Sequence, residues 1–340
     1  MSKKKLQKKL FFSRTLDFLD HYLPDQVLKS RNTVETYRDA LTVFRRYVTN
    51  TLHLSLRSFT FEDCTYDFLL SYMEFLKKSG NTETTCNNRL AAIRAYLWYI
   101  ADGDISLQSV ALAASHVPFL KAPKLTRETI SENDLKALLS APPATKIGRR
   151  DQTILILLYD SAVRVSELLS LNVSSVNLSA GIPYLRVYGK GDKERIVAIT
   201  DTTAEHIRNY LTIYHPTGDP DSPLFYTTIK GHKGRMSVGN VERILNKYAD
   251  KIRPDHPNLP KHCYPHMLRR TRSTNLYQDG TELELISRIL GHSSTETTRI
   301  YAVPSVEMMR KAMESGNIST DEKPLWPDDE AEMARICGLR

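Results

Sequence analysis

A chain of 340 residues, 25% charged and 41% hydrophobic, has the proportions of a soluble globular protein with room for two domains. Its net charge of +8 is uneven: residues 314–340 hold seven acids against three bases, a tail of −4 that leaves +12 on the rest. Such a basic body suits a polyanionic partner, nucleic acid first, although a merely soluble basic protein has the same balance.

In chain order, the first third reads as helical. Apolar residues recur at helical spacing in Leu16, Phe18, Leu19 and Tyr22, and again in Tyr37, Leu41, Phe44, Tyr47 and Val48. A third helix fits Phe68 to Leu76 and a fourth Leu90 to Ile100, with KKSGNTETT supplying a glycine stop and a Thr/Asn start between them. Four short helices make a compact bundle over residues 1–118. Prolines and bases then interrupt the pattern, and residues 119–130 read as a linker.

From residue 131 to 316 the pattern is mixed. SENDLKALLSA is a capped helix, with Ser131 and Asp134 near its start. TILILLYDSAVRVSELLSL gives a buried helix, a turn and another helix. IPYLRVYGKGDKERIVAIT alternates as a β-hairpin around Gly-Lys-Gly-Asp, and PLFYTTIKGHKGR ends in a basic, glycine-containing loop. Helical spacing returns from Val238. Residues 317–340 form an acidic tail whose DDEAEMARICGL makes a last short helix, with Met333, Ile336 and Cys337 on one face. The fold class is therefore mainly α with a small antiparallel β-sheet.

Cys64, Cys86, Cys263 and Cys337 are scattered and suggest no disulfide framework. MSKKKLQKKLFF lacks an apolar region long enough for a signal peptide, and the longest aliphatic run, Ile154 to Leu158, is too short to span a bilayer. These features lead us to expect a cytoplasmic protein with no membrane partner.

Four places can carry chemistry. In YPHMLRRTRS, His266 and Arg269 are three apart at a helix start, and a guanidinium beside an imidazole suits a phosphate. Taken alone, His-x-x-Arg is better explained by a solvated helix face. Arg164 stands between two helices amid residues that want burial, so it needs an anion, either Glu167 for the fold alone or a ligand. Lys190 lies at the tip of YGKGDKER with a glycine on each side, where it is solvated or reaches a ligand. The spacing is neither a P-loop nor a dinucleotide fingerprint. SRILGHSSTETTRIYAVPS places Tyr301 nine residues after His292. Two metal readings fail: prolines break up His256, His262, Cys263 and His266, and Asp328, Asp329 and Glu330 read as acids at the positive end of a helix. No metal or other cofactor is expected.

Together, Arg164 in RVSELLSL, Lys190 in GKGDKER, His266 and Arg269 in HMLRR, His292 in LGHSS and Tyr301 in TTRIYA resemble the tyrosine recombinases, in particular Xer-type recombinases and simple bacterial integrases. The resemblance runs from about Ser131 to Tyr301, and the N-terminal bundle looks like that family's SAM-like, core-binding DNA-binding domain. It implies site-specific strand cleavage and rejoining in DNA integration, excision or dimer resolution. Tyr301 would attack the phosphate to form a 3′-phosphotyrosyl link, with Arg164 and Arg269 on the non-bridging oxygens. His266 would assist the tyrosine, Lys190 would protonate the leaving 5′-oxygen, and His292 would donate to the phosphate. Glu167 would support Arg164. Ionising a free tyrosine at pH 7 costs about 4 kcal/mol, and a preorganised donor is worth roughly 3–4 kcal/mol in the transition state.

Two positions depart from the family pattern. Arg270 stands where histidine is common and is expected to add a DNA-backbone contact; Val163 replaces a common leucine as tolerated packing. The resemblance further implies double-stranded DNA with an inverted-repeat core site, gripped by both domains, and a homotetramer on that DNA. Arg89, Arg94, Lys230, Lys233 and Arg235 are further candidate DNA contacts, and the tail docks on a neighbouring protomer or on its own domain. A type IB topoisomerase-like enzyme and a catalytically silent DNA binder remain as alternatives.

Overall fold

The structure, a computed structural model, describes residues 9–123, 128–179, 181–189, 193–292, 294–315 and 329–339. The chain divides into two compact units, Met1–Thr126 and Arg127–Arg340. Among the described residues no helix is long and apolar enough to cross a membrane.

The first unit opens with a helical run of changing pitch, Phe11–Arg14, Thr15–Asp17 and the π-wound Phe18–Gln26. Four α-helices follow: α1 (Arg31–Arg46), α2 (Tyr66–Lys78), α3 (Glu83–Gly103) and α4 (Gln108–His116). Ser30, Thr65 and Thr82 start the first three by accepting a backbone N–H with the side-chain oxygen. Helix α4 was not anticipated, because its buried face is built from Ala111 and Ala114, too small to print an apolar period. The core is aromatic: Phe11, Phe18, Phe44, Phe59, Tyr72 and Tyr96 are all fully buried.

The second unit carries α5 (Glu132–Ser140), α6 (Lys146–Asp160) and α7 (Val165–Ser170), followed by the strands β1 (Val176–Asn177), β2 (Tyr184–Tyr188) and β3 (Glu194–Ala198). These strands form an antiparallel sheet in sequence order, with Val187 opposite Arg195. The expected hairpin is there, gaining β1 as a third strand. After α8 (Asp201–Tyr214), the basic loop is instead a second hairpin, β4 (Tyr226–Ile229) and β5 (His232–Arg235), turning at Lys230 and Gly231. Helices α9 (Val238–Ile252), α10 (Pro265–Gln278), α11 (Leu283–Leu290), α12 (Val306–Ser315) and the short α13 (Glu330–Ile336) complete the chain. Helix α6 is the hub, with Ile154, Leu155, Leu157 and Leu158 buried on successive faces. The mainly helical class with small antiparallel sheets is what the residue pattern led us to expect.

Candidate active site

Helix α6 ends at Asp160, and the chain turns sharply before α7. Ala162 makes that turn with φ at +50°, a left-handed conformation that costs a non-glycine residue about 1–2 kcal/mol. The turn aims its carbonyl at α10, where Arg269 Nη1 donates to it at 2.7 Å. Arg269 Nη2 donates to the carbonyl of Leu290 at 2.8 Å and to His292 Nε2 at 3.0 Å. The arginine is 1% exposed, and its Nε has no hydrogen-bond partner among the described residues. Burial, then the neighbouring Arg164, pulls its pKa down to about 10, so it stays a cation at neutral pH. A buried cation with donors to spare is costly unless an anion arrives.

His292 follows α11, which ends on Gly291 in the left-handed region at φ +62°. Because an arginine only donates, Nε2 of His292 is the acceptor, and Nδ1–H is left to donate to Thr298 Oγ1 at 2.8 Å. Burial, followed by the charges of Arg269 and Arg164, lowers the imidazole pKa to about 4. Neutral imidazole is therefore the resting form. Its ring stacks on Tyr301, with centroids 6.1 Å apart and planes 23° apart.

Tyr301 is 2% exposed and packs with Ala162, Ile286 and Leu290. It ends a 3-10 turn, Arg299–Tyr301, and His292 lies in a loop. Neither sits within an α-helix. Small polar residues between them favour local turns over a continuous helix.

Arg164 Nη1 donates to Glu167 Oε1 at 2.8 Å, and the same carboxylate accepts the backbone N–H of Arg164 at 2.8 Å. Arg195 closes on Glu167 from the other side at 2.7 Å and 3.1 Å. Burial alone would raise the Glu167 pKa, but the bonds from Arg195 and Arg164 outweigh it and hold the carboxyl below its usual value. His266, at the start of α10, is exposed and close enough to His292 to act on it electrostatically. The structure thus gathers Arg164, Glu167, His266, Arg269, His292 and Tyr301 in one place; Lys190 lies outside the described residues.

The surface candidates fare differently. Arg270 is 6% exposed and donates inward, to the carbonyl of Glu128 and to Tyr264 Oη, both at 3.1 Å. Its expected role as a DNA contact is corrected to one of anchoring the segment before α5. Arg94 donates to the carbonyls of Ala114 and Val117 and lies 4.4 Å from the ring of Phe119, closing the end of α4 instead of presenting its charge. Arg235 donates to the carbonyls of Leu169, Ser170 and Leu171 and so caps α7. Arg89 is half-buried and bonded to Asn81 Oδ1 at 2.8 Å. Backbone and side-chain oxygens of neighbouring segments compete for these guanidinium groups, and a sequence does not show which one wins. Lys230 and Lys233 are exposed on the second hairpin, Lys233 over the ring of Tyr226 at 4.7 Å.

Two residues of the cluster were missed. Arg195 shares a strand phase with buried Val197 and Ile199, and an arginine at an inward strand position signals a buried anion. Thr298, fully buried against His292, left no signal in the sequence.

Two arginines, a neutral imidazole and a buried tyrosine are the groups that a phosphoryl transfer through a tyrosine would call on. Residues 128–308 match the phage integrase family, and residues 14–102 match the phage integrase SAM-like domain. Tyrosine recombinase XerA of Thermococcus kodakarensis is 33% identical over 249 residues, covering 73% of this chain and 81% of the relative. Tyrosine recombinase XerC of Syntrophus aciditrophicus is 29% identical over 301 residues, covering 85% of this chain and 93% of the relative. Among solved structures, the Tn1549 transposon integrase in complex with transposon right end DNA aligns with TM-score 0.66 at 16% identity, covering 88% of this chain and 98% of that one. XerH site-specific recombinase bound to palindromic difH substrate aligns with TM-score 0.63 at 21% identity, covering 83% and 79%. The chain belongs to the phage integrase family, with Xer-like tyrosine recombinases among its relatives.

Proposed function

We propose that this protein is a site-specific recombinase that cuts and rejoins double-stranded DNA through Tyr301. The observation that carries this reading is the convergence of Arg164, His292 and Tyr301 around Arg269 in a chain whose relatives are tyrosine recombinases. The Tyr301 oxygen attacks phosphorus, its proton passing to His266 or water, and the bond to the 5′-oxygen breaks. That leaves a 3′-phosphotyrosyl link and a 5′-hydroxyl, whose proton comes from Lys190. Arg164 and Arg269 hold the non-bridging oxygens. Attack by a second 5′-hydroxyl reverses the step on a new strand, and because the phosphotyrosyl bond conserves the energy, no nucleotide is consumed.

His292, neutral and already an acceptor from Arg269, acts first by orienting that arginine; donation to phosphate requires its proton on Nε2. Tyr301 at 2% exposure describes an idle state, so cleavage requires the Arg299–Tyr301 turn to shift once DNA is bound.

Residues 1–118 are assigned as the core-binding domain, 119–130 as the linker, 131–316 as the catalytic domain and 317–340 as the tail. We assign the substrate as an inverted-repeat core site bound by a tetramer in the cytoplasm, with Lys230 and Lys233 on the DNA backbone. The exposed Met333, Ile336 and Leu339 of the tail support its docking on a neighbouring protomer. Topoisomerase-like and silent-binder readings are not favoured, since both curated relatives above are named recombinases.

The test is covalent capture on fragmented DNA with the wild type and Tyr301→Phe. Adducts that vanish in the variant and share an inverted-repeat end are expected. Adducts without a common site would favour the topoisomerase-like enzyme, and DNA binding without adducts in either protein would favour the silent binder.

A further inference from the structure

Arg195 reaches the site from β3 and touches three of the segments that build it. Nη2 donates to Glu167 Oε2 at 2.7 Å, Nη1 to Oε1 at 3.1 Å, and Nε to the carbonyl of Ile289 near the end of α11 at 3.2 Å. Gly189, which precedes Lys190, lies so near that an added methyl would stand 3.3 Å from Nη1. Gly291, which precedes His292, is closer still: a methyl there would come within 2.9 Å of the guanidinium carbon. With 14% of its side chain exposed, Arg195 is mostly withdrawn from solvent.

The charges explain why a second arginine is needed. Glu167, with 6% of its side chain exposed, facing Arg164 alone would close a neutral pair and draw Arg164's charge to itself. With Arg195 on the same carboxylate, the trio keeps one net positive charge. Arg164, 38% exposed in its side chain, is the member open to an incoming anion.

We propose that Arg195 is a positioning residue for strand cleavage. It neutralises Glu167 so that Arg164 keeps its charge for the phosphate. The proposal rests on the phosphotyrosyl reading above.

The experiment measures single-turnover adduct formation by the full chain on a duplex recovered by wild-type covalent capture. It compares Arg195→Gln, Arg195→Lys, Arg164→Ala and the two double variants. Arg195→Gln is expected to slow adduct formation by about 100-fold while DNA affinity stays within about twofold. Arg195→Lys, which keeps the charge but not the fork, is expected to recover about tenfold of that loss. In the Arg164→Ala background either change should cost under about threefold, because the arginine it serves is gone. Wild-type cleavage by Arg195→Gln, or an equal loss in both backgrounds, overturns the proposal. Should Arg195→Gln not fold, Arg195→Lys in the two backgrounds decides the same question. A wild type that forms no adduct at all refutes the phosphotyrosyl reading instead.

Discussion

Two buried residues of similar bulk, Phe11 in the first unit and Arg269 in the second, show how differently the two units use their interiors. The Phe11 ring meets Phe12, Phe44, Phe59, Phe61 and Tyr96 at centroid distances of 4.9 to 5.5 Å, all mutually favourable contacts. Arg269 is as deeply buried, yet it keeps an unpartnered Nε, sits near Arg164 and leans on a left-handed Ala162. One interior is organised for stability. The other stores positive charge and backbone strain, as sites preorganised for an anion do.

The largest test of this contrast sets Arg269→Met against Phe11→Ala. Methionine fills most of the arginine's space and removes the cost of a buried cation, which offsets the loss of its bonds to the carbonyls of Ala162 and Leu290, so the change should cost less stability in urea than Phe11→Ala. Adduct formation should fall by about 1,000-fold. Phe11→Ala should cost about 3–5 kcal/mol of stability, measured on the transition of the first unit. Folded molecules of that variant should still cleave at close to the wild-type rate. If Arg269→Met destabilised the protein as much as Phe11→Ala, the division between the two interiors would collapse.

What the sequence disclosed follows the same division. Long apolar residues at helical spacing, such as Tyr37 to Val48 and Ile154 to Leu158, announced their helices because burial of large side chains dominates there. Helix α4, with its alanine face, did not. In the site, polar residues without a structural excuse were legible one by one, and their order along the chain marked the family. Their pairings were not. Arg164, Arg235 and Arg270 look alike in sequence, yet one faces solvent beside a carboxylate while two are taken up by carbonyl oxygens of neighbouring segments. Those outcomes depend on which helix ends arrive nearby, a tertiary matter that local pattern does not encode.

A smaller effect separates the units by pH. In the folded chain His292 takes a proton only near pH 4, whereas a free histidine does so near about 6.5. In that window the unfolded chain binds more protons, so stability falls as pH drops from about 6.5 towards 4 and is fully present above it. Protonation would also set imidazolium against Arg269 across their hydrogen bond. Urea midpoints at pH 7.5 and 4.5 should therefore diverge more for the wild type than for His292→Gln. Equal losses in the two proteins would remove His292 from the polar interior's pH response.

The smallest effect uses one chemical change in both places, Ala92→Gly and Ala162→Gly. Ala92 is buried in the middle of α3, where glycine adds unfolded-state freedom and forfeits a packed methyl, so the change should cost about 1 kcal/mol or more. Ala162 loses a methyl too, packed in the cluster of Ile286, Leu290 and Tyr301. There, however, glycine relieves a left-handed conformation worth about 1–2 kcal/mol, which offsets both losses. Ala162→Gly should consequently shift the urea midpoint less than Ala92→Gly. An equal or larger loss at position 162 would mean that the turn carries little strain, and that the Ala162 carbonyl is held for Arg269 by packing alone.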